Sequence, residues 1–294
     1  MPELPDLVVY LDALAPRVLG QAPARVRVSS PFVLRTVAPP PEALEGTRVT
    51  GLQRIGKRIV LAFEQERFLV IHLMVAGRLR WLAPGAKAPA RITLATLEFG
   101  HGTLALTEAG SKRRASLHVV AGTAPLAAMD PGGIDPLGAD LASFTARLLT
   151  PNATLKRALT DPRRFSGIGN AYSDEILHRA RLSPLKLAQQ LASSEIARLH
   201  VAVHDVLAEW TRRLRLEAGD RFPDKVTAFR PEMAVHGRHG QPCPVCAAPV
   251  QRIVHVDNEI NYCARCQTGG RVLADRALSQ LLHDSFPRRI EDLE

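Results

Sequence analysis

Hydrophobic positions change their period twice along this chain. Leu7, Val8, Leu11, Leu14 and Val18 recur at helical spacing, which predicts an amphipathic helix broken near Pro16. From Arg25 to about Gly122 the pattern becomes short apolar runs, at residues 26–28, 58–63, 68–73 and 92–97. Gly, Pro or charged turns separate them, which predicts strands of a β-sandwich or barrel. Residues 129–140 are rich in Gly, Pro and Asp, lie where the strand pattern stops, and read as a linker. Over residues 141–216 the period is helical. Asp140 or Ser143 is placed to cap the first helix and Ser193 or Ser194 another, with the last long helix over about 195–215. One further short amphipathic helix is expected over residues 274–283.

Composition narrows this picture. A chain of 294 residues with 46% hydrophobic positions can bury two cores of ordinary size. Its 38 Lys and Arg exceed 29 acids, a net charge of +9 and a pI near 9.9, which favours a polyanion such as nucleic acid. Between Arg54 and Arg91 stand eight basic residues and only two acids, Glu64 and Glu66; Lys112, Arg113 and Arg114 form a second cluster. No secretory h-region and no membrane-length apolar run is present, so a cytosolic protein is expected. There, four cysteines read as metal ligands rather than disulfides.

Four stretches carry candidate chemistry. Cys243-x2-Cys246-x16-Cys263-x2-Cys266 supplies two knuckles of soft ligands for one tetrahedral zinc. All four positions are filled, so the zinc is expected to be structural. In residues 165–175, Gly167 and Gly169 before a helix start, with Asn170, Arg163 and Arg164 nearby, suit a phosphate. At the chain start, removal of Met1 leaves the secondary amine of Pro2 beside Glu3. Such an amine can form an imine, with the carboxyl as its acid/base partner. Lys57 follows Gly56 at the start of an expected strand, and residues 72–78 run from an apolar strand into a Gly-Arg turn.

Taken in order, Pro2-Glu3-Leu4-Pro5, Gly56-Lys57, His72-Leu73 to Gly77-Arg78, Gly167-Ile168-Gly169-Asn170 and the cysteine unit resemble the formamidopyrimidine-DNA glycosylase and endonuclease VIII family of base-excision repair enzymes. The resemblance spans about residues 1–267. It implies an α+β protein: an N-terminal helix plus β-sandwich (1–130), a helix–two-turn–helix domain (131–235) and a four-cysteine zinc finger (236–270); the remaining residues, 271–294, read from their own pattern as a helical tail. It implies a monomer that removes oxidised bases from duplex DNA and then cuts at the abasic site by β-elimination. Pro2 would be the nucleophile, Glu3 the acid, and Lys57 a phosphate contact that assists elimination. Asn170 and the amides around Gly169 would clamp a phosphate. Met74, Arg113, Lys156 and Asn258 would also contact DNA. The chain departs from the family pattern in five places. Asp6 stands for the usual glutamate, a mild change, and the tail beyond Gln267 is longer than the family's. Met74-Val75-Ala76 stands for Gly-Met-Ser, so the residue filling the gap of the flipped base is Val75 unless Met74 takes over. The Glu108 to Ala115 loop has no phenylalanine wedge, leaving Arg113 or Arg114 to insert. Asn258 stands where the finger arginine is expected. Two other readings fit part of the chain: a non-catalytic paralogue that binds distorted DNA, and a zinc-ribbon module of the transcription or RNA type.

Overall fold

The computed structural model describes residues 1–110, 112–223, 226–227, 230–255, 258–273 and 288–293. The tail helix expected over residues 274–283 lies outside the described residues. The chain divides into two compact units, Met1–Pro131 with Trp210–Thr227, and Gly132–Glu209 with Ala228–Glu294.

The first unit begins with helix α1 (Leu4–Val18). Asp6 accepts from the Glu3 backbone N–H at 2.9 Å, one half of a capping box that Glu3 completes. The expected break at Pro16 does not occur, and the helix continues to Val18. A proline in the last turn removes only one helical amide, so little is lost there. Leu7, Tyr10, Leu14 and Val18 form the buried stripe of α1.

Eight strands follow: β1 (Arg25–Val28), β2 (Val49–Ile55), β3 (Arg58–Phe63), β4 (Arg67–His72), β5 (Gly77–Leu82), β6 (Thr93–Phe99), β7 (Gly102–Glu108) and β8 (Ser116–Ala121). They form two antiparallel four-stranded sheets, ordered β1-β6-β7-β5 and β2-β3-β4-β8. The α1 stripe joins Ile59, Leu61, Leu69, Ile71, Leu79, Leu97 and Leu106 in one core. The opposite face of the second sheet is also covered: Val60, Phe68, Val70 and Val120 pack with Leu126 of the short helix α2 (Thr123–Ala127). Burial on both faces explains why β3 and β4 read as unbroken apolar runs rather than alternating ones.

The second unit holds α3 (Leu141–Leu149), capped by Asp140, whose carboxylate accepts from the Ser143 N–H at 2.8 Å. Then come α4 (Leu155–Thr160), α5 (Asn170–Arg179) and α6 (Ser193–Ala218). From Trp210 onward α6 belongs to the first unit, where Arg215 Nε donates to Asp12 at 2.7 Å. The hairpin β9 (Gln251–His255) and β10 (Asn258–Tyr262) leads into α7 (Ala264–Thr268). Cys263 caps α7. Val235, Val250, Ile253, Ile260, Tyr262 and Ile290 build a small core around the cysteines.

Candidate active site and nucleic-acid interface

In the first unit, α1 carries the chain start. Pro2 is buried, and Glu3 and Asp6 are 3% and 2% exposed. Burial holds the α-amino group, here that of Met1, below its usual range. Arg78 and Lys57 lower it further, while Glu3 and Asp6 oppose the shift.

Lys57 sits in the two-residue turn between β2 and β3, where Ile55 pairs with Arg58. Gly56 holds φ +58° there, a conformation glycine adopts without strain. Arg54 donates to the Gly56 carbonyl at 2.8 Å, and Arg58 to the Met129 carbonyl at 3.0 Å. The turn that presents Lys57 is thus pinned on both sides. His72, paired with Arg58 across β3 and β4, is pushed down to about 4 by burial and then by Arg58, Lys57 and His118.

The β4–β5 turn closes with the Gly77 N–H on the Leu73 carbonyl at 2.9 Å. A Cβ at Gly77 would lie 2.2 Å from that oxygen, so only glycine fits. Arg78 donates to the Val75 and Gly77 carbonyls at 3.0 and 2.7 Å. Met74, expected as a DNA contact, is only half-exposed and held at φ +51°. Val75 is the apolar side chain that projects, 62% exposed. The next loop is organised by Glu108, 1% exposed, whose carboxylate accepts from the N–H groups of Arg114 and Ala115 at 3.0 and 3.1 Å. Arg113 is exposed and donates to the Arg91 carbonyl at 2.8 Å.

In the second unit, Gly167 at φ +88° turns the chain into α5. Asn170 opens that helix, and its side-chain nitrogen donates to the Glu259 carbonyl at 2.9 Å. An amide nitrogen has two hydrogens, so the contact occupies half of its donor capacity. Lys156, expected as a DNA contact, is buried. Its side chain is 7% exposed, and its ammonium lies 2.5 Å from Asp174 and 2.6 Å from the Asn170 carbonyl. A buried ammonium needs such a partner. Asp174 also meets His236 Nδ1 at 2.8 Å and the Asn261 N–H at 3.2 Å. Glu175 accepts from the N–H groups of Ala234, Val235 and His236 at 2.7, 2.9 and 2.9 Å. Burial raises its pKa despite those three donors.

Asp174 and Glu175 were not picked out from the sequence, and His236, which the sequence offers as a surface or phosphate contact beside the cysteines, is buried against Asp174. The available signal was a pair of adjacent acids just behind a candidate phosphate turn in a basic chain. Asn258 opens β10 opposite His255; its side chain and residues 256–257 lie outside the described residues.

The sulfur atoms of Cys243, Cys246, Cys263 and Cys266 lie within 4.8 Å of one another. Cys243 and Cys266 are 3.9 Å apart, Cys246 and Cys263 3.4 Å. Tetrahedral zinc with Zn–S near 2.3 Å needs sulfurs about 3.8 Å apart. The four residues fit one structural zinc ion.

Three family models match in sequence: the formamidopyrimidine-DNA glycosylase N-terminal domain (residues 1–115), its H2TH domain (133–215) and a zinc finger found in FPG and IleRS (240–269). The formamidopyrimidine-DNA glycosylase of Thermus thermophilus is 35% identical over 92% of this chain and 100% of its own. The crystal structure of MutM (Fpg) from the same organism superposes with a TM-score of 0.76 at 33% identity, covering 90% of this chain and 98% of that one. A complex of Lactococcus lactis Fpg with DNA containing an abasic site gives a TM-score of 0.78 over 90% of this chain and 99% of that one. At 23% identity that likeness concerns the fold. Among the described residues no helix is long and apolar enough to cross a membrane. Similarity sustained through all three matched segments, and along the full length of the Thermus relative, places this chain in the formamidopyrimidine-DNA glycosylase family of DNA repair enzymes.

Proposed function

We propose that this chain removes oxidised bases from duplex DNA and cleaves the resulting abasic site through an imine on Pro2. The observation that carries this reading is the geometry of the chain start, where Pro2 is buried beside the buried carboxyl of Glu3 and the charges of Lys57 and Arg78 are close enough to act on the terminal amine. Once Met1 is removed, the Pro2 nitrogen attacks C1′, and the bond from C1′ to the damaged base breaks. Glu3 protonates O4′ as the sugar ring opens, leaving an iminium. The iminium acidifies the C2′ hydrogens; loss of one drives β-elimination, in which the C3′–O3′ bond breaks and the 3′ phosphate departs. Lys57, on its pinned hairpin, neutralises a phosphate beside the lesion. Gly169 and Asn170 hold another at the start of α5, where the helix dipole favours negative charge. Lys156 supports that turn from beneath. The target nucleotide is extruded, and Val75, exposed at its turn, is placed to fill the gap, with Arg113 on the neighbouring loop.

Borohydride reduction of a mixture with abasic-site DNA tests the reading. Protein starting at Pro2 should give a covalent adduct, and protein with two residues added ahead of Pro2 should give none. An adduct that survives the extension would assign the chemistry to a lysine. No adduct from either protein would favour the non-catalytic, distortion-binding alternative.

A further inference from the structure

Four side chains on one face of α5, at spacing i, i+4, i+5 and i+8, reach into the finger or the segment leading to it. Asn170, Asp174 and Glu175 do so through the hydrogen bonds described above. The fourth, His178, is buried, and its Nε2 lies 3.3 Å from the Cys243 sulfur. A zinc-bound cysteine is a thiolate, and a thiolate can only accept. The imidazole nitrogen facing it must therefore carry the proton.

We infer that His178 is a positioning residue that donates an N–H···S hydrogen bond to the zinc-bound Cys243 thiolate, making the helix behind the phosphate turn an outer support of the metal site. The bond draws charge from the thiolate and fixes its direction. Loss of such an outer partner commonly costs roughly 10–100-fold in metal affinity. The same helix begins at Asn170, so the metal and the phosphate turn share one rigid element.

The test uses the full chain loaded with zinc. His178→Phe keeps a ring but has no donor; His178→Gln keeps a donor. Transfer of zinc to the chromogenic chelator 4-(2-pyridylazo)resorcinol should be roughly 10–100-fold faster from the Phe variant and near the unmodified rate from the Gln variant. The sulfur-to-metal charge-transfer bands of the cobalt-substituted protein should shift in the Phe variant alone. Equal release rates and spectra for Phe and unmodified protein would overturn the inference. If the Phe variant does not fold, nitrogen-15 NMR of the unmodified, cadmium-113-substituted protein decides it. Nε2 should carry the proton; a bare Nε2 would overturn the assignment. Absence of bound zinc in the unmodified protein would instead overturn the metal site itself.

Discussion

In the sandwich unit the helix behind the chain start is held in place by apolar side chains. Leu7, Tyr10, Leu14 and Val18 hold α1 against both sheets, and β3 and β4 bury unbroken runs. In the second unit the turn into α5 is fixed by buried charge. Lys156, Asp174 and His236 form one chain of contacts, Glu175 captures three amides, and His178 meets a cysteine sulfur. Apolar burial is graded, and each residue contributes its own share. A buried polar network fails when one partner is withdrawn, because the charge left behind has no solvent. Two kinds of fragility therefore coexist in one chain.

Zinc removal should show the largest difference. Structural zinc in small fingers supplies about 10–16 kcal/mol of folding free energy at neutral pH. Chelation should unfold the segment around Cys243–Cys266, weaken DNA binding at least tenfold, and leave the sandwich folded. Hydrogen exchange resolved by peptide can follow both units at once. Loss of protection in β3 and β4 at the same chelator concentration would break the comparison.

Single substitutions come next. Lys156→Met takes the lysine cation from Asp174, which keeps His236 Nδ1 and the Asn261 N–H, and should cost about 3–5 kcal/mol; adding Asp174→Leu should recover part of that. Leu61→Ala, in the sandwich core, should cost about 2–5 kcal/mol with no such rescue by a neighbour. Denaturant midpoints measure all three. A cost below about 1 kcal/mol for Lys156→Met would mean that the ion pair is not what holds the turn.

What the sequence revealed follows the same division. Local periodicity announced α1, the strands around residues 58–73 and the long α6, because each is decided by neighbours within a few residues. The cysteine spacing announced the finger for the same reason. Strands β2, β5, β7 and β8 went unnamed; β5 was missed because it begins at Gly77, inside the turn that the sequence reading ended on. The ion pair of Lys156 was not legible because its partner, Asp174, lies 18 positions away. His178 and Cys243 are 65 positions apart. Pairings at such distances are set by the packing of whole helices, which no local pattern encodes. Of the two residues the sequence offers at the β4–β5 turn, Val75 rather than Met74 is the exposed one, because backbone direction there, not residue type, selects what projects.

His72 supplies a titrating exception within the apolar unit. Its folded pKa is about 4 against an ordinary 6.5. Above pH 6.5 it is neutral in both states and sets no pH slope. Between 6.5 and 4 the unfolded chain binds a proton that the folded one refuses, so stability falls as pH falls. Below about 4 that loss is complete. Its full size is roughly 2 kcal/mol, reduced for partial exposure. His72→Asn should flatten this part of the pH profile, read from denaturant midpoints between pH 7 and 4.5. An unchanged slope would assign the acid sensitivity elsewhere, with His118, also lowered by burial, the next group to test.

The smallest expected effect concerns Asn258, at the start of β10 in the finger hairpin. After β-elimination a second elimination releases the 5′ phosphate, and it proceeds only if that phosphate is held and neutralised. An arginine can do this with two charge-assisted hydrogen bonds. An asparagine offers neutral bonds, each roughly half as strong. The neighbouring charges do not help, since Asp257 and Glu259 are acidic and Arg252 lies 3.8 Å from Glu259. The unmodified protein should therefore accumulate the β-elimination product. Asn258→Arg should raise the share of the second product about tenfold, equivalent to about 1.4 kcal/mol in relative barrier, without altering zinc content or base removal. Denaturing gels of end-labelled abasic-site DNA separate the two products. Complete double elimination by the unmodified protein, as fast as base removal, would show that a cation other than residue 258 holds the departing phosphate.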